Sequence, residues 1–446
     1  KDENVFDIQQ GVAIALFIKK KDRKKENNVH HSEGWGLREK KYEWLDKNDL
    51  KTTRWQQLSP KSEFYLFVPK DEKLSETYEH YPKITEIFPL HGVGMTTARD
   101  NFVIDMDENA LLNRIRLFKN SKYSDDDLHT AFKINKKKGW SIRKALSMLQ
   151  SVSNADLNKF ILPVLYRPFD VRWIFYHDSV VWRTVKKVMQ HMMKENIALI
   201  TLRKGLPNYN YSWVYVTNAL IGHGVFYNGN QSTEYVYPLY LQIDADKKDL
   251  FTYVGKADQK QPNINPEIFS SLSKAYGKDP TPEEIFFYIY TVLYSTTYRS
   301  KYAEFLKIDF PRVPFTKDYK LFIRMAEYGK QLVDLHLLKS SDLDPPVAKF
   351  QGKGTDKVEK VKYENGRVYI NKDQYFEGVK PEVWQYQIGG YQVCAKWLKD
   401  RKGRSLSLED MKHYCRMVTA IEKTIEIQKV IDGIYPEVEK ETISYT

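Results

Sequence analysis

The sequence of 446 residues contains two cysteines, Cys394 and Cys415, and this scarcity excludes two kinds of protein. Two cysteines this far apart cannot form the disulfide framework of a small secreted domain or a zinc knuckle. No apolar run approaches the length of a membrane span, and the first ten residues lack the basic start and the long apolar stretch of a signal peptide. We therefore expect a cytoplasmic protein with no membrane partner, in which both cysteines are buried thiols.

Motifs for catalysis are missing as well. The chain has no Walker loop, no Gly-x-Ser-x-Gly nucleophile elbow, no paired-histidine motif and no cluster of zinc ligands. The segment LDPPVAKF, residues 343–350, resembles the Asp-Pro-Pro-aromatic arrangement that engages a flipped base in amino-methyltransferases. However, Val347 stands where a ring must stack, so we interpret the segment as a linker between a helix and a hairpin. Catalysis by this chain alone is not expected.

Basic and aromatic residues are abundant. Lys and Arg total 70 against 58 Asp and Glu, which gives a formal net charge of +12. This excess favours a polyanionic partner. The 31 tyrosines and 9 tryptophans are more than a core of this size normally needs. We therefore expect some of these rings on working surfaces.

The first part of the chain predicts the end of an α/β domain. The apolar run from Val12 to Ile18 is typical of a strand buried on both faces, and residues 62–71 predict a second strand that could lie beside it. No strand-helix-strand pattern precedes the first strand, so we expect the chain to be the C-terminal portion of a longer polypeptide. Residues 19–34 predict a solvated basic loop, in which the adjacent His30 and His31 would point apart and form no metal site.

The middle of the chain mixes helices and strands. Gly92 and Gly94 predict a tight turn, which we favour over a phosphate-binding loop because no Lys follows at the required place. Helical spacing dominates from Asp107 to about Lys159. Residues 166–204 predict two strands, a helix near residues 184–195 and a buried strand.

The last part of the chain predicts long helices and one hairpin. A helix at residues 281–295 opens with Thr281 as its N-cap, and a second helix ends near His336, which we interpret as a packed core histidine. Asn365-Gly366 is a strong hairpin turn signal. A final helix is predicted from about Ser407 to Asp432. The fold class predicted is therefore mixed α and β (α+β) with a helical C-terminus.

Five segments together resemble the C-terminal half of Type ISP restriction-modification enzymes. They are VFDIQQGVAIALFIKK, YRPFDVRWIFYHDSVV, IFFYIYTVLYSTTYRSKYAEFLKIDFPRVPF, LVDLHLL and YFEGVKPEVWQYQIGGYQVCAKWLKDRKGRSLSLEDMKHY. The resemblance spans nearly the whole chain. In that family one polypeptide is similar in plan to a nuclease, an ATP-driven translocase, an adenine-N6 methyltransferase and a target-recognition domain, in that order.

The resemblance implies a division of the chain at about residue 84. Residues 1–84 would be the C-terminal strands of the methyltransferase core and 85–446 the target-recognition region, with mixed strands and helices over 85–280 and a helix-rich part with a β-hairpin over 281–446. The family's S-adenosylmethionine glycine motif and catalytic Asn-Pro-Pro-aromatic motif have no counterpart here. We therefore expect no cofactor in this chain, while S-adenosylmethionine, ATP and Mg are implied for the parent polypeptide.

The resemblance also implies that the chain recognises a sequence of duplex DNA, as the specificity portion of an enzyme that methylates adenine N6. Its other partners would be the methyltransferase and translocase domains of the same polypeptide. Arg172 is the preferred base reader, because Arg can bridge guanine with two hydrogen bonds, and Tyr391 and Trp397 are expected to pack beneath the backbone-binding cations. The candidate DNA contacts are Arg99, Arg167, Arg172, Arg183, Lys186, Lys187, Arg203, Lys204, Lys399, Arg401, Lys402 and Arg404.

Two other functions use similar residues. A protein-protein scaffold would use Tyr, Trp and Arg to dock the methyltransferase or translocase domains. A protein that binds single-stranded nucleic acid would stack bases on exposed aromatic rings. A basic cleft as wide as a duplex would favour DNA recognition over both.

Overall fold

The computed structural model describes residues 2–8, 12–19, 28–60, 65, 67–69, 71–134, 140–206, 209–227, 229, 233–242 and 260–445. These residues form two compact units, Lys1–Thr77 and Tyr78–Thr446. Helices and strands are both present, so the mixed α and β class predicted from the sequence is confirmed. The assignment of residues 1–84 to a methyltransferase core stays a prediction, as do the other boundaries.

The described residues of the first unit contain one small antiparallel sheet. Strand Val29–His31 pairs with strand Gln56–Leu58, and helix Arg38–Lys47 lies between them in sequence. A strand at Val29–His31 corrects the prediction of an irregular loop there, while residues 20–27 of that loop lie outside the described residues. A further helix, Glu72–Glu79, includes the boundary between the two units.

The buried strand predicted from Val12 to Ile18 is wrong. The segment has no regular structure, and Ile14, Phe17 and Ile18 are each more than 80% exposed. A strand buried on both faces needs neighbours that cover it, and within the described residues this run pairs with no strand. Of the second predicted strand, residues 62–64, 66 and 70 lie outside the described residues, and the remainder is not a strand.

The second unit is built from fourteen α-helices, counted over its described residues. They are Ile84–Ile87, Asp100–Val103, Glu108–Lys119, Asp125–Ala131, Ile142–Gln150, Lys186–Met189, Pro266–Tyr276, Pro282–Tyr294, Thr296–Lys301, Ala303–Leu306, Tyr319–His336, Pro381–Gln385, Val393–Lys399 and Leu408–Val438. Short 3-10 helices occur at Asp156–Phe160, Gln190–Met192 and Ser341–Leu343.

The described part of the second unit also contains three four-stranded sheets. In order, the first contains Gly92–Val93, Glu234–Pro238, Ala198–Leu202 and Val214–Thr217. The second contains Ile104–Asp105, Asp170–Phe175, Ile161–Arg167 and Leu220–Ile221, and the third contains Lys349–Gln351, Tyr375–Glu377, Arg367–Tyr369 and Lys362–Glu364. Two-stranded pairs form between Tyr240–Leu241 and Gln261–Pro262, and between Gln387–Ile388 and Tyr391–Gln392.

The Gly-Val-Gly motif lies in a strand and not in a tight turn. Gly92 pairs with Val236, and a Cβ added at Gly92 would come within 2.8 Å of the Val188 side chain. At Gly94 the added Cβ would lie 3.0 Å from the carbonyl oxygen of Gly222. These glycines therefore serve close packing, which corrects the turn prediction.

Helix Pro282–Tyr294 forms the core of the second unit with helix Tyr319–His336. The first begins with a capping box, in which the Thr281 hydroxyl accepts from the Glu284 backbone N–H and the Glu284 carboxylate accepts from that of Thr281. The two helices approach closely at Gly329, where an added Cβ would be 1.9 Å from the Phe287 carbonyl oxygen. Helix Leu408–Val438 packs against both, and it is longer than the predicted helix.

Local predictions in this part of the chain are confirmed. His336 is buried, with Nδ1 2.7 Å from the Tyr290 hydroxyl oxygen and Nε2 3.0 Å from that of Thr424. Asn365 and Gly366 turn the hairpin with φ of 49° and 77°, as a type I′ turn requires. Both cysteines are buried. Many tyrosines are core residues, so the expectation that surplus aromatic rings mark working surfaces is wrong for these: Tyr288, Tyr290, Tyr294, Tyr298, Tyr302, Tyr414 and Tyr435.

The described residues lack both a membrane-spanning helix and a metal-binding group of side chains. None of their helices combines the length and the apolar character that a bilayer-spanning helix requires. They also contain no group of three or more His, Cys, Asp and Glu side chains placed to bind a metal ion.

Candidate nucleic-acid interface

The hairpin of strands Ile161–Arg167 and Asp170–Phe175 turns at Pro168-Phe169, inside the basic segment 166–204. Phe169 has a φ of 61°, a left-handed conformation that usually requires glycine. The Phe169 backbone is held on both sides: its N–H donates to the Tyr215 hydroxyl at 3.1 Å, and its carbonyl accepts from Nε2 of His413 at 2.7 Å. The Phe169 ring is buried against Tyr215 and His336. The turn is therefore fixed in the interior and does not project toward a ligand.

Asp170 follows this turn and joins the basic segment 166–204 to a second basic segment, residues 389–407. Its Oδ2 accepts from Arg172 Nε at 3.1 Å and Nη2 at 2.7 Å, and its Oδ1 accepts from Arg401 Nη2 at 3.0 Å. Burial alone would raise the pKa of Asp170, but the charges and hydrogen bonds of Arg401 and Arg172 outweigh it and lower the pKa below its ordinary value. Asp170 is therefore an ionised carboxylate in the protein interior.

Aromatic rings cover the two guanidinium groups bound to Asp170. Arg401 lies 3.4 Å from the ring centroid of Trp397, and Arg172 lies 3.7 Å from that of Tyr166. Asp400 adds a carboxylate 3.8 Å from Arg172. We call Asp170, Arg172, Asp400 and Arg401 the Asp170 cluster. Trp397 is buried beneath the segment as predicted.

A small cavity beside the Asp170 cluster limits what it can bind. The cavity has a volume of about 10 Å³ and is lined by Arg167, Pro168, Asp170, Tyr391, Val393, Lys396, Trp397 and Asp400. This volume holds about one water molecule and is far too small for a nucleobase. The Asp170 cluster therefore connects strand Asp170–Phe175 to residues 400–401, and it is not a nucleotide pocket.

Four of the predicted DNA contacts lie in the interior. Arg99, Arg167 and Arg401 are buried, and the side chain of Arg172 is 12% exposed with its donors directed to Asp170. Arg99 donates to the Val180 carbonyl at 3.0 Å, and burial lowers its pKa to about 10. A guanidinium in such a position cannot reach a phosphate or a base edge at the surface. The structure gives these four arginines contacts in the interior, and their contact with DNA stays a prediction that this burial does not favour.

The other eight candidates are exposed. Lys186 forms an ion pair with Asp178, and Arg203 pairs with Asp309 at 2.8 Å. Six have no carboxylate within ion-pairing distance among the residues that the structure describes: Arg183, Lys187, Lys204, Lys399, Lys402 and Arg404. Their contact with DNA stays a prediction.

Sequence reasoning missed the partners that organise this region. Asp170 and His413 hold the hairpin turn, and a loop at residues 352–358 lies beside residues 403–406. Asp170 and Asp178 are the two Asp residues of the basic segment 166–204, so an acid at position 170 was visible in the sequence. Residues 352–358 are joined to residues 403–406 by backbone hydrogen bonds. Because these bonds do not depend on side-chain type, the sequence carries no local signal for the contact.

A comparison with protein-family models matches residues 86–430 to the Type ISP C-terminal specificity domain. A comparison with curated proteins found no match. Three solved structures have a similar fold, and each contains a much longer chain. One is a nuclease-deletion mutant of the Type ISP restriction-modification enzyme LlaGI in complex with a DNA substrate mimic, with 18% identity, a TM-score of 0.60, and coverage of 92% of this chain and 33% of that chain.

The second structure is a complex of DrdV with DNA, with 20% identity, a TM-score of 0.60, and coverage of 90% of this chain and 42% of that chain. The third is the ATP-dependent Type ISP restriction-modification enzyme LlaBIII bound to DNA, with 16% identity, a TM-score of 0.62, and coverage of 84% and 25%. The matched region thus amounts to less than half of each of these chains, and at such identities the likeness shows the fold alone. Because the family match extends over most of the sequence, the chain belongs to the Type ISP C-terminal specificity domain family, as the resemblance implied.

Proposed function

We propose that this chain recognises a specific sequence of duplex DNA, as the specificity part of a Type ISP restriction-modification enzyme. The family match over residues 86–430 carries this proposal. The solved structures of similar fold are of proteins bound to DNA or to a DNA mimic, which supports it. A net charge of +12 and the exposed unpaired cations suit a partner that is dense in phosphate.

In the full polypeptide, other domains would perform the chemistry. A methyltransferase domain would transfer a methyl group from S-adenosylmethionine to adenine N6, and a translocase domain would use ATP and Mg. Residues 1–84 would be the end of the methyltransferase core. The role of this chain would be to select the DNA sequence, in the cytoplasm where the DNA is found.

One observation favours an additional protein contact in the first unit. Helix Arg38–Lys47 has no buried residue, and Trp35, Trp44 and Trp55 are exposed by 72%, 42% and 45%. Exposed aromatic residues of this kind are common at protein interfaces. We propose this surface as the contact to the methyltransferase or translocase domain, in addition to DNA recognition by the second unit.

Binding of duplex DNA is expected to weaken steeply as salt concentration rises. Each phosphate contact contributes a slope of about −0.9 to log affinity against log salt, so five contacts would cost roughly 500-fold between 50 and 200 mM. Fluorescence anisotropy with a labelled duplex of random sequence measures this slope, and a labelled single strand of the same length is the control. Tighter binding of the single strand would support the stacking alternative, and no duplex binding at 50 mM would contradict DNA recognition.

A further inference from the structure

Two loops of the second unit lie side by side through backbone hydrogen bonds. The Val358 N–H donates to the Arg404 carbonyl at 2.8 Å, and the Gly403 N–H donates to the Val358 carbonyl at 2.7 Å. The Leu406 N–H donates to the Asp356 carbonyl at 2.8 Å. We call residues 352–358 and 399–406 the paired loops.

Each of the paired loops is held from the interior. The buried Gln374 donates through Nε2 to Asp356 Oδ1 at 2.6 Å and accepts at Oε1 from the Asp356 N–H at 2.8 Å. In the other loop the buried Arg401 is bound to Asp170. These contacts fix the backbone of both loops. The cationic side chains on the loops therefore extend from fixed backbone positions.

The outer side chains of the paired loops are mostly basic. Five exposed cations have no carboxylate within ion-pairing distance in the described ranges: Lys353, Lys357, Lys399, Lys402 and Arg404. The nearby acids are largely engaged, because Asp356 is bound to Gln374 and Asp400 to Lys396. Two exposed acids, Glu359 and Asp373, offset two of the five charges; Asp373 lies beside Gly352 of the first loop.

Adjacent extended backbones lie about 5 Å apart. Each strand of duplex DNA carries one charge per 3.4 Å of helix axis. Cations from two adjacent loops can therefore meet neighbouring phosphates of one DNA strand. Such contacts fix the position of a protein on DNA without reading its sequence.

We propose that the paired loops form a single phosphate-binding surface for duplex DNA, in which Lys353 and Lys357 act together with Lys399, Lys402 and Arg404. This inference rests on the proposed function and adds a loop to the segment near residue 400. Such a surface adds affinity for every duplex and carries no sequence information.

The double variant Lys353→Ala/Lys357→Ala tests this surface. It is expected to weaken binding to every duplex by the same factor, roughly tenfold or more at 0.1 M salt, and to reduce the salt slope by about two units. The matched control is Lys317→Ala/Lys320→Ala, which removes two exposed unpaired lysines from a groove of about 600 Å³ elsewhere in the same unit. The control is expected to leave the slope unchanged.

A second double variant tests whether the weaker binding comes from the lost charge or from a folding defect. Lys353→Gln/Lys357→Gln keeps long polar side chains and should give the same loss of slope, with an unchanged melting temperature. An unchanged slope in both loop variants, or an equal change in the groove control, would overturn the paired-loop surface and leave the proposed function intact. Absence of duplex binding by the unmodified chain would overturn both.

Discussion

Replacement of Asp170 by asparagine is expected to lower the free energy of unfolding by about 3–5 kcal/mol, because it leaves two cations in the interior without their shared anion. Arg172 would keep a contact of 3.8 Å to Asp400, and Arg401 one of 3.5 Å to Asp410. Both contacts are too long for a direct hydrogen bond. Urea unfolding at pH 7, followed by circular dichroism, measures the loss.

Asp178→Asn is the matched control for Asp170→Asn. It removes the partner of Lys186 in an ion pair whose side chains are about half exposed, and such pairs contribute about 0–1 kcal/mol. If both variants lose the same small amount of unfolding free energy, the Asp170 cluster does not hold residues 170–172 and 400–401 together.

The Asp170 cluster also has a pH signature with a defined sign. The pKa of Asp170 is lowered in the folded protein, so the unfolded chain takes up its proton first as the pH falls. The stabilisation by Asp170 is therefore complete above its ordinary pKa of 3.8 and is lost as the pH falls through the lower folded value. The difference in stability between the unmodified chain and Asp170→Asn should shrink in this acid range.

Gly329→Ala is expected to destabilise the second unit by about 3 kcal/mol or more. The added methyl group would lie 1.9 Å from the Phe287 carbonyl oxygen and 2.6 Å from the Thr291 hydroxyl oxygen. The first of these is a backbone atom, so no change of side-chain rotamer relieves the overlap. The two core helices must then move apart, which thermal and urea unfolding would detect.

Gly433→Ala is the control for the intrinsic effect of alanine in a helix. Gly433 lies within helix Leu408–Val438, and an added Cβ would meet no atom within 4 Å. Alanine is expected to stabilise the protein there by about 0.5–1 kcal/mol. Stabilisation by both substitutions would show that the helices do not approach closely at Gly329.

Features that depend on neighbouring residues in the sequence could be predicted. The cap at Thr281 and the hairpin turn at Asn365-Gly366 need only a few adjacent residues, and the structure has both. The run from Val12 to Ile18 could not be predicted in the same way, because burial of a strand depends on partner strands that can be distant in sequence. Gly92 likewise packs against Val188, almost a hundred residues away.

The candidate site also depends on contacts between residues that are distant in sequence. An arginine has the same appearance in a sequence whether it is exposed or bound to a buried carboxylate, and Arg401 and Asp170 are 231 residues apart. The pairing with Asp170 therefore removed Arg401 from the surface without any local signal, whereas Arg172 lies only two residues from Asp170. Lys353 and Lys357 had no local signal for a nucleic-acid contact, because backbone hydrogen bonds to residues 403–406 are what place their loop beside Lys402.

The central claim, recognition of a DNA sequence, is tested most directly by a specificity ratio. A random duplex pool is first enriched on the purified chain, and the affinity for the enriched duplex is then compared with that for a scrambled duplex of equal length and composition at 0.15 M salt. The account predicts that the enriched duplex binds at least roughly 10³-fold more tightly, and that single mismatches each cost about 1–3 kcal/mol. Equal affinity for the enriched and the scrambled duplex would contradict it.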